Sequence, residues 1–177
     1  MKALLVIDVQ NGIVNHGDFT DELSRMECII KDFKAKHLPV IFMRHFDDIE
    51  ESPLYKNSTG SELHDSLKGY ADQVIEKKTP SSFFNTDLAK ELKKLGVNHL
   101  FITGFNTEFC CMFTAISAFD RGFEVTFIEN ATGTTNDEDT YEMKGLDIRD
   151  FVGTVLHWSD VIEVLDFDEY LEEYKAE

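Results

Sequence analysis

The sequence predicts a three-layer αβα sandwich around a mostly parallel, six-stranded sheet. Two observations lead there. Four short runs are almost continuously apolar: ALLVIDV (3–9), LPVIFM (38–43), HLFITG (99–104) and FEVTFI (123–128). Such runs suit strands covered on both faces better than the alternating pattern of a half-exposed antiparallel sheet. Between them lie segments of helical period, and a βα alternation implies right-handed crossovers with helices on both faces.

In chain order, ALLVIDV is the first strand. ELSRMECIIKDFKAKH (22–37) places Leu23, Met26, Ile30 and Phe33 three and four apart, with Asp21 expected as its N-cap. LPVIFM follows as the second strand. The segment 44–65 that comes next is polar and broken by Pro53 and Gly60. Following a strand directly, it is the expected substrate-covering loop. DQVIEK (72–77) is a weaker strand, and NTDLAKELKKLG (85–96) a helix with Leu88, Leu92 and Leu95 on one face and Gly96 as its C-cap. After HLFITG, a helix should run from about Thr107 to Arg121 and pass through Gly122 into FEVTFI. FVGTVLHW (151–158) is expected to supply the sixth strand. No internal repeat or low-complexity linker divides the 177 residues, so residues 1–177 are expected to form one domain.

Composition narrows the function classes. Hydrophobic residues make up 42% of the chain, which disfavours disorder, and the formal net charge is -17. The segment 160–177 alone carries eight acids against one lysine. Such a surface repels phosphate backbones and anionic lipid, so neither nucleic acid nor membrane is expected as a partner. The N-terminal apolar run is interrupted at Asp8, too early for a signal peptide's apolar core, and no stretch has the length of a membrane-spanning helix. Three cysteines, Cys28, Cys110 and Cys111, do not resemble a disulfide framework and point to a reducing cytoplasm.

Three chemically distinctive residues fall at one edge of the expected sheet. Asp8 ends the first strand on an apolar flank, where an acid is costly without a partner. Lys77 ends DQVIEK, and Cys110 follows HLFITG where a helix begins. A carboxylate can take a thiol's proton, while a cation and a helix N-terminus favour the thiolate. Backbone N–H groups in the turn before that helix can meet an oxyanion.

The motifs that carry these residues resemble the isochorismatase-like cysteine hydrolases, a family with a Rossmann-like sheet that includes nicotinamidases and N-carbamoylsarcosine amidases. The matching stretches are LLVIDVQNG near the start, GSELHDSL (60–67), VIEKKTPSSFFNTDL (74–88) and ITGFNTEFCCMFTAISAFDRGFEVTFIENA (102–131), in the family's order. The resemblance implies Asp8 as general base, Lys77 as catalytic lysine and Cys110 as nucleophile. It also implies a cis peptide at Phe105–Asn106 and an oxyanion hole made by the N–H groups of Asn106 and Cys110. Cys111, about 100° further round the helix, is expected to pack in the core.

Gln10, Arg44 and Phe84 are the candidate substrate contacts. Each has an ordinary structural alternative: strand-end capping for Gln10, an ion pair with Asp47 or Asp48 for Arg44, and core packing for Phe84. No cofactor and no metal is expected. The acid-x-His order of metal-binding relatives is missing from RHFDD (44–48), although His45, Asp47 and His64 could meet in space. The implied activity is cleavage of a small-molecule amide through a thioester, in a homo-oligomer (dimer or tetramer). Vinyl ether hydrolysis of the isochorismate type, or a non-catalytic regulatory or redox-sensing role, are the competing readings. Both leave the Asp–Lys–Cys set without a task.

Overall fold

The computed structural model describes residues 1–175. Its elements run β1 (Lys2–Ile7), α1 (Asn11–Val14), α2 (Thr20–Ala35), β2 (Val40–His45), β3 (Gln73–Lys77), α3 (Leu88–Leu95) and β4 (His99–Phe105). They continue with α4 (Met112–Phe119), β5 (Glu124–Gly133), α5 (Ile148–His157), β6 (Glu163–Leu165) and α6 (Phe167–Tyr170). The six strands form one sheet in the order β3-β2-β1-β4-β5-β6, and every neighbouring pair is parallel. The expected mostly parallel α/β sandwich is therefore observed.

The apolar runs pack as their continuity demands. Alternate residues of β1 serve opposite layers: Ala3, Leu5 and Ile7 join the core under α3, α4 and α5, while Leu4 and Val6 join the core under α2. At Gly96, α3 ends with φ +70°, a left-handed residue in the expected C-cap role.

Two expectations fail. FVGTVLHW is helical, not a strand, because Ile148, Val152 and Leu156 recur every four residues and bury one face of α5. The sixth strand is instead the short Glu163–Leu165 within the acidic segment. For α2, Asp21 is not the cap. The helix starts at Thr20, and the Asp18 carboxylate accepts from both the Thr20 N–H and its hydroxyl.

The strand order places the switch point between the parallel strands β1 and β4, whose onward connections lead toward opposite edges of the sheet. In open α/β sheets, the crevice beyond the carboxyl ends at that point is where ligands bind. The register makes the crevice specific. Ile7 pairs with Met43 on one side and Gly104 on the other, and these are the last pairs, so Asp8 stands where β1 parts from both neighbouring strands. Gly104 permits that closeness: with φ +123°, a Cβ there would meet the Ile7 carbonyl oxygen at 2.1 Å.

Candidate active site

Asp8 leaves β1 in a left-handed conformation, φ +52°, and is completely buried. Its backbone N–H donates to the Met43 carbonyl (3.1 Å), which fixes the turn. Lys77 ends β3 and is 2% exposed. A buried ammonium is costly unless it is compensated, and here every donor is directed at a partner. Its Nζ stands 2.6 Å from Asp8 Oδ2 and donates to the Thr79 carbonyl (3.1 Å) and Cys110 Sγ (3.1 Å). It also lies 3.1 Å from His45 Nδ1. Both Asp8 carboxylate oxygens are buried and neither has a hydrogen-bond partner among the described residues; the contact to Lys77 is an ion pair.

Cys110 arrives from β4 through a wide π turn, Thr107–Cys111, that leads into α4. The Phe105–Asn106 peptide before it is cis, as the family resemblance implied. Hydrogen bonds on both sides hold the turn. Thr107 and Thr132 hydroxyls lie 2.8 Å apart, and Glu108 Oε1 accepts from Thr134, Asn136 and Tyr141. On the β3 side, Ser82 N–H donates to the Thr114 hydroxyl (3.0 Å), and Ser81 Oγ donates to Ser117 Oγ (3.0 Å). These bonds tie the segment after Lys77 to the helix after Cys110. Sequence reading passed over this hydroxyl network; its signal is the cluster of Ser and Thr in TPSSFFNT and MFTAIS.

Burial pushes the Cys110 thiol far above its ordinary range; the Asp8 charge adds to the rise, and Lys77 opposes it without prevailing. Lys77 thus favours the thiolate, as expected, but burial and Asp8 outweigh it. For Lys77, burial pulls the pKa down, but Asp8 and Cys110 more than offset it, and the ammonium is held above its usual value of 10.5. His45 is lowered, first by burial and then by the Lys77 charge. Its neutral ring accepts from Lys77 at Nδ1, which leaves the N–H on Nε2.

His45 is the member of this cluster that sequence reading treated only as a metal ligand. The β2–β3 register explains its place, since His45 pairs with Lys77. Asp8, His45 and Cys110 offer ligand atoms all within 4.8 Å of one another. However, the position that touches all three is already taken by Lys77 Nζ, so this donor set does not fit a divalent cation. His45, Asp47 and His64 do not converge. Asp47 accepts from the Ile49 N–H and the Ser52 hydroxyl, and the His64 ring contacts Ser66.

The candidate substrate contacts are dispersed. Gln10 is buried, and its amide is spent on the backbone: Nε2 donates to the His45 and Ser61 carbonyls, and Oε1 accepts from the His45 N–H. It thereby pins the 46–72 loop to the end of β2. Arg44 pairs with Glu76 (2.7 Å), its cross-strand neighbour, and not with Asp47 or Asp48. Side chains alternate faces along a strand, so Arg44 and His45 point opposite ways. Phe83 is buried and stacks on Phe123 at 5.9 Å, whereas Phe84 is 56% exposed. Cys111 is fully buried in the core beneath α4, as expected. Lys78 is exposed and pairs with Asp48, as distinct from Lys77 as its neighbour Cys111 is from Cys110.

A half-buried thiol beside a carboxylate and an ammonium, at the switch point of a parallel sheet, has the arrangement of a cysteine hydrolase. The comparisons with known proteins agree. The isochorismatase domain family matches residues 2–160, and the chain belongs to that family. It is 33% identical over 155 residues to Nicotinamidase 3 of Arabidopsis thaliana, covering 78% of this chain and 76% of that protein. An isochorismatase family protein of Bacillus subtilis (strain 168) is 31% identical over 140 residues, 75% of this chain and 78% of the other. Among solved structures, an isochorismatase-like hydrolase from Alkaliphilus metalliredigens superposes with a TM-score of 0.81 over 98% of both chains, at 21% identity. That last likeness concerns the fold alone. Family and site together make the protein an enzyme of the cysteine amidohydrolase class. Among the described residues, no helix is long and apolar enough to cross a membrane.

Proposed function

We propose that the protein hydrolyses the C–N bond of a small-molecule amide through a thioester on Cys110. The observation that carries this reading is the convergence of a thiol, a carboxylate whose two buried oxygens accept no hydrogen bond, and an ammonium that donates to the sulfur and ion-pairs with the carboxylate. As Cys110 Sγ attacks the carbonyl carbon, Asp8 takes its proton. Negative charge moves to the carbonyl oxygen and is met by the N–H groups of Asn106 and Cys110. The tetrahedral intermediate collapses, the C–N bond breaks, and Asp8 gives the proton to the departing nitrogen. Water then attacks the thioester; Asp8 takes one of its protons and returns it to sulfur as the acid leaves.

Lys77 serves both anionic moments. It holds the Asp8 carboxylate in line and stabilises sulfur as charge develops there, so thiol and lysine titrate as a coupled pair. His45, accepting from Lys77, keeps the ammonium aimed. Gln10 acts through the loop it pins, and Phe84, exposed at the end of the SSFF segment, is the aromatic contact available to a planar substrate. Arg44 reaches a substrate only by leaving Glu76. The relative named Nicotinamidase 3 supports an amide on a small planar ring as the first substrate class to assay. The enzyme works in the cytoplasm as a homo-oligomer, a dimer or tetramer.

Rapid-quench mass spectrometry with a panel of small primary amides, run beside ammonia detection, tests the chemistry. The expected result is an acyl adduct on Cys110 that forms and decays as ammonia appears. Turnover without any adduct, or an adduct on Cys111, would overturn it.

A further inference from the structure

The turn that carries Cys110 is fastened to the segment after β5 by three consecutive residues. Asn106 Nδ2 donates to Thr135 Oγ1 (3.1 Å), and the Thr107 and Thr132 hydroxyls lie 2.8 Å apart. Glu108 makes the largest number of these bonds. Its Oε1 accepts from the Thr134 hydroxyl (2.9 Å), Asn136 Nδ2 (2.7 Å) and the Tyr141 hydroxyl (3.0 Å). The Asn136 N–H donates to Thr134 Oγ1 (3.1 Å), so two of the three donors are themselves linked. Both partners start from a fixed point, because β4 and β5 stay paired up to Phe105 and Gly133, immediately before the turn and the loop.

A carboxylate is an expensive choice at this position. Glu108 is 8% exposed, its Oε2 is buried with no hydrogen-bond partner among the described residues, and the three donors to its Oε1 are all neutral. It lines an apolar groove with Phe109, Met112, Phe113 and Leu146. In such surroundings an apolar side chain of similar volume would serve stability as well or better. What the carboxylate secures is geometry, since donors from Thr134, Asn136 and Tyr141 converge on one oxygen and fix where the turn stands. That turn also carries Asn106 and Cys110, whose N–H groups meet the oxyanion in the proposed reaction. The Asn106 carbonyl accepts from the N–H groups of Phe109 and Cys111 (both 3.2 Å), so a displacement at Glu108 passes to the backbone on either side of Cys110.

We propose that Glu108 is a positioning residue: by holding the 106–111 turn against the Thr134–Tyr141 segment, it sets the alignment of the two oxyanion N–H donors. This role rests on the thioester reading above. It has a kinetic signature of its own. Oxyanion donors act as a carbonyl oxygen gains charge, in the transition state rather than in substrate binding. They have no part when the same thiol is alkylated, because displacement at a saturated carbon forms no oxyanion. Misalignment therefore lowers kcat and leaves KM and the alkylation rate in place. A displacement of about 1 Å at such a site can cost about 100-fold.

The test compares Glu108→Ala and Glu108→Gln with the wild type, on the full chain. The probes are the primary amide that the wild type turns over fastest and, for alkylation of Cys110, iodoacetamide. Glu108→Ala is expected to lose about 100-fold in kcat, with KM and the alkylation rate within about 3-fold of wild type. Glu108→Gln keeps an acceptor for the three donors and is expected to stay within about 5-fold of the wild-type kcat. Circular dichroism and thermal melts check that each variant is folded. If Glu108→Ala fails that check, Tyr141→Phe takes its place; it removes one donor and is expected to lose about 10-fold in kcat at unchanged KM. Alkylation that falls in step with kcat would make Glu108 a support of the thiol or of the fold at large, and would overturn the proposal. A near-normal kcat in Glu108→Ala would overturn it too, as would Glu108→Gln being as impaired as Glu108→Ala. Those outcomes leave the thioester reading standing. A wild type that turns over no amide of the panel defeats that reading, and the role of Glu108 with it.

Discussion

Charge is buried at the carboxyl edge of the sheet, and apolar surface is exposed on the outer face of α4 and α5. Both regions invert the usual distribution of polarity, but they differ in how the cost is met. Asp8 and Lys77 are removed from water and compensated inside the chain, by each other and by His45, Thr79 and Cys110. The Phe113 and Phe151 side chains have no such cover within their own chain. The charges of the first region are compensated within one chain, while the second region leaves its apolar side chains open to solvent. Cys110 and Phe109 sit one residue apart on the boundary between the two.

The sharpest way to break the first half of that contrast is to remove the sulfur. Cys110→Ala is expected to abolish turnover and adduct formation while the protein still melts cooperatively, since the thiol is peripheral to the core. Retained steady-state activity would remove the thiol from the mechanism.

Next in size is Lys77→Met, which keeps the aliphatic stem and deletes the charge. Removing one partner of a buried ion pair leaves the other uncompensated, at about 3–5 kcal/mol when no relaxation intervenes. We expect kcat and kcat/KM to fall together, by roughly 2–4 kcal/mol of transition-state stabilisation. The thiol's titration should move higher still, because Lys77 is the group that opposes its rise. Thiolate absorbance against pH measures the shift, and an unchanged titration with near-normal activity would sink the coupled pair.

The pH dependence gives a smaller effect with a defined sign. His45 and His99 both titrate below 6.5 in the folded protein, chiefly through burial, so as pH falls the unfolded chain binds protons first. Their contribution to stability is fully present above pH 6.5 and is lost as pH falls from there through the folded values. Denaturant midpoints should therefore drop on that side, and His45→Gln should flatten part of the slope. A slope identical to wild type in His45→Gln would mean the ring is not held neutral.

How much of this was legible in the sequence depends on what each feature rests on. The buried strands announced themselves because continuous apolar runs have few other uses in a chain this acidic. The spacing around Lys77 and Cys110, read with the family resemblance, assigned both residues. Pairing across strands was not legible. His45 meets Lys77, and Arg44 meets Glu76, only because β2 and β3 align in one register, and a one-residue slip would exchange them. FVGTVLHW misled because Val, Phe and Trp favour strands, while the buried Ile148, Val152 and Leu156 reveal the helical period only when the segment is read from Ile148. The exposed apolar face of α4 and α5 was missed for a related reason: an apolar helix face looks the same in sequence whether its own chain covers it or leaves it open to solvent.

The smallest expected effects come from the two neighbours that share their partners' chemistry but not their positions. Cys111→Ala empties a small volume in the core under α4 and should cost on the order of 1 kcal/mol of stability with activity retained. Lys78→Met should change even less. Its ammonium is exposed and pairs with Asp48, which Lys56 also holds. Those two lysines keep the Asp48 carboxyl down at about 2, Lys56 contributing first, so after the substitution it remains ionised throughout the neutral range. Nothing buried is left unpaired, and solvent replaces the lost contact. The kcat/KM and the thiol titration of Lys78→Met should thus overlay the wild type within error. If Lys78→Met instead lowered kcat/KM as much as Lys77→Met, the decisive variable would be positive charge near the loop rather than a buried ammonium at the strand end. The distinction between a self-contained site and an ordinary charged surface would then fail at its most local point.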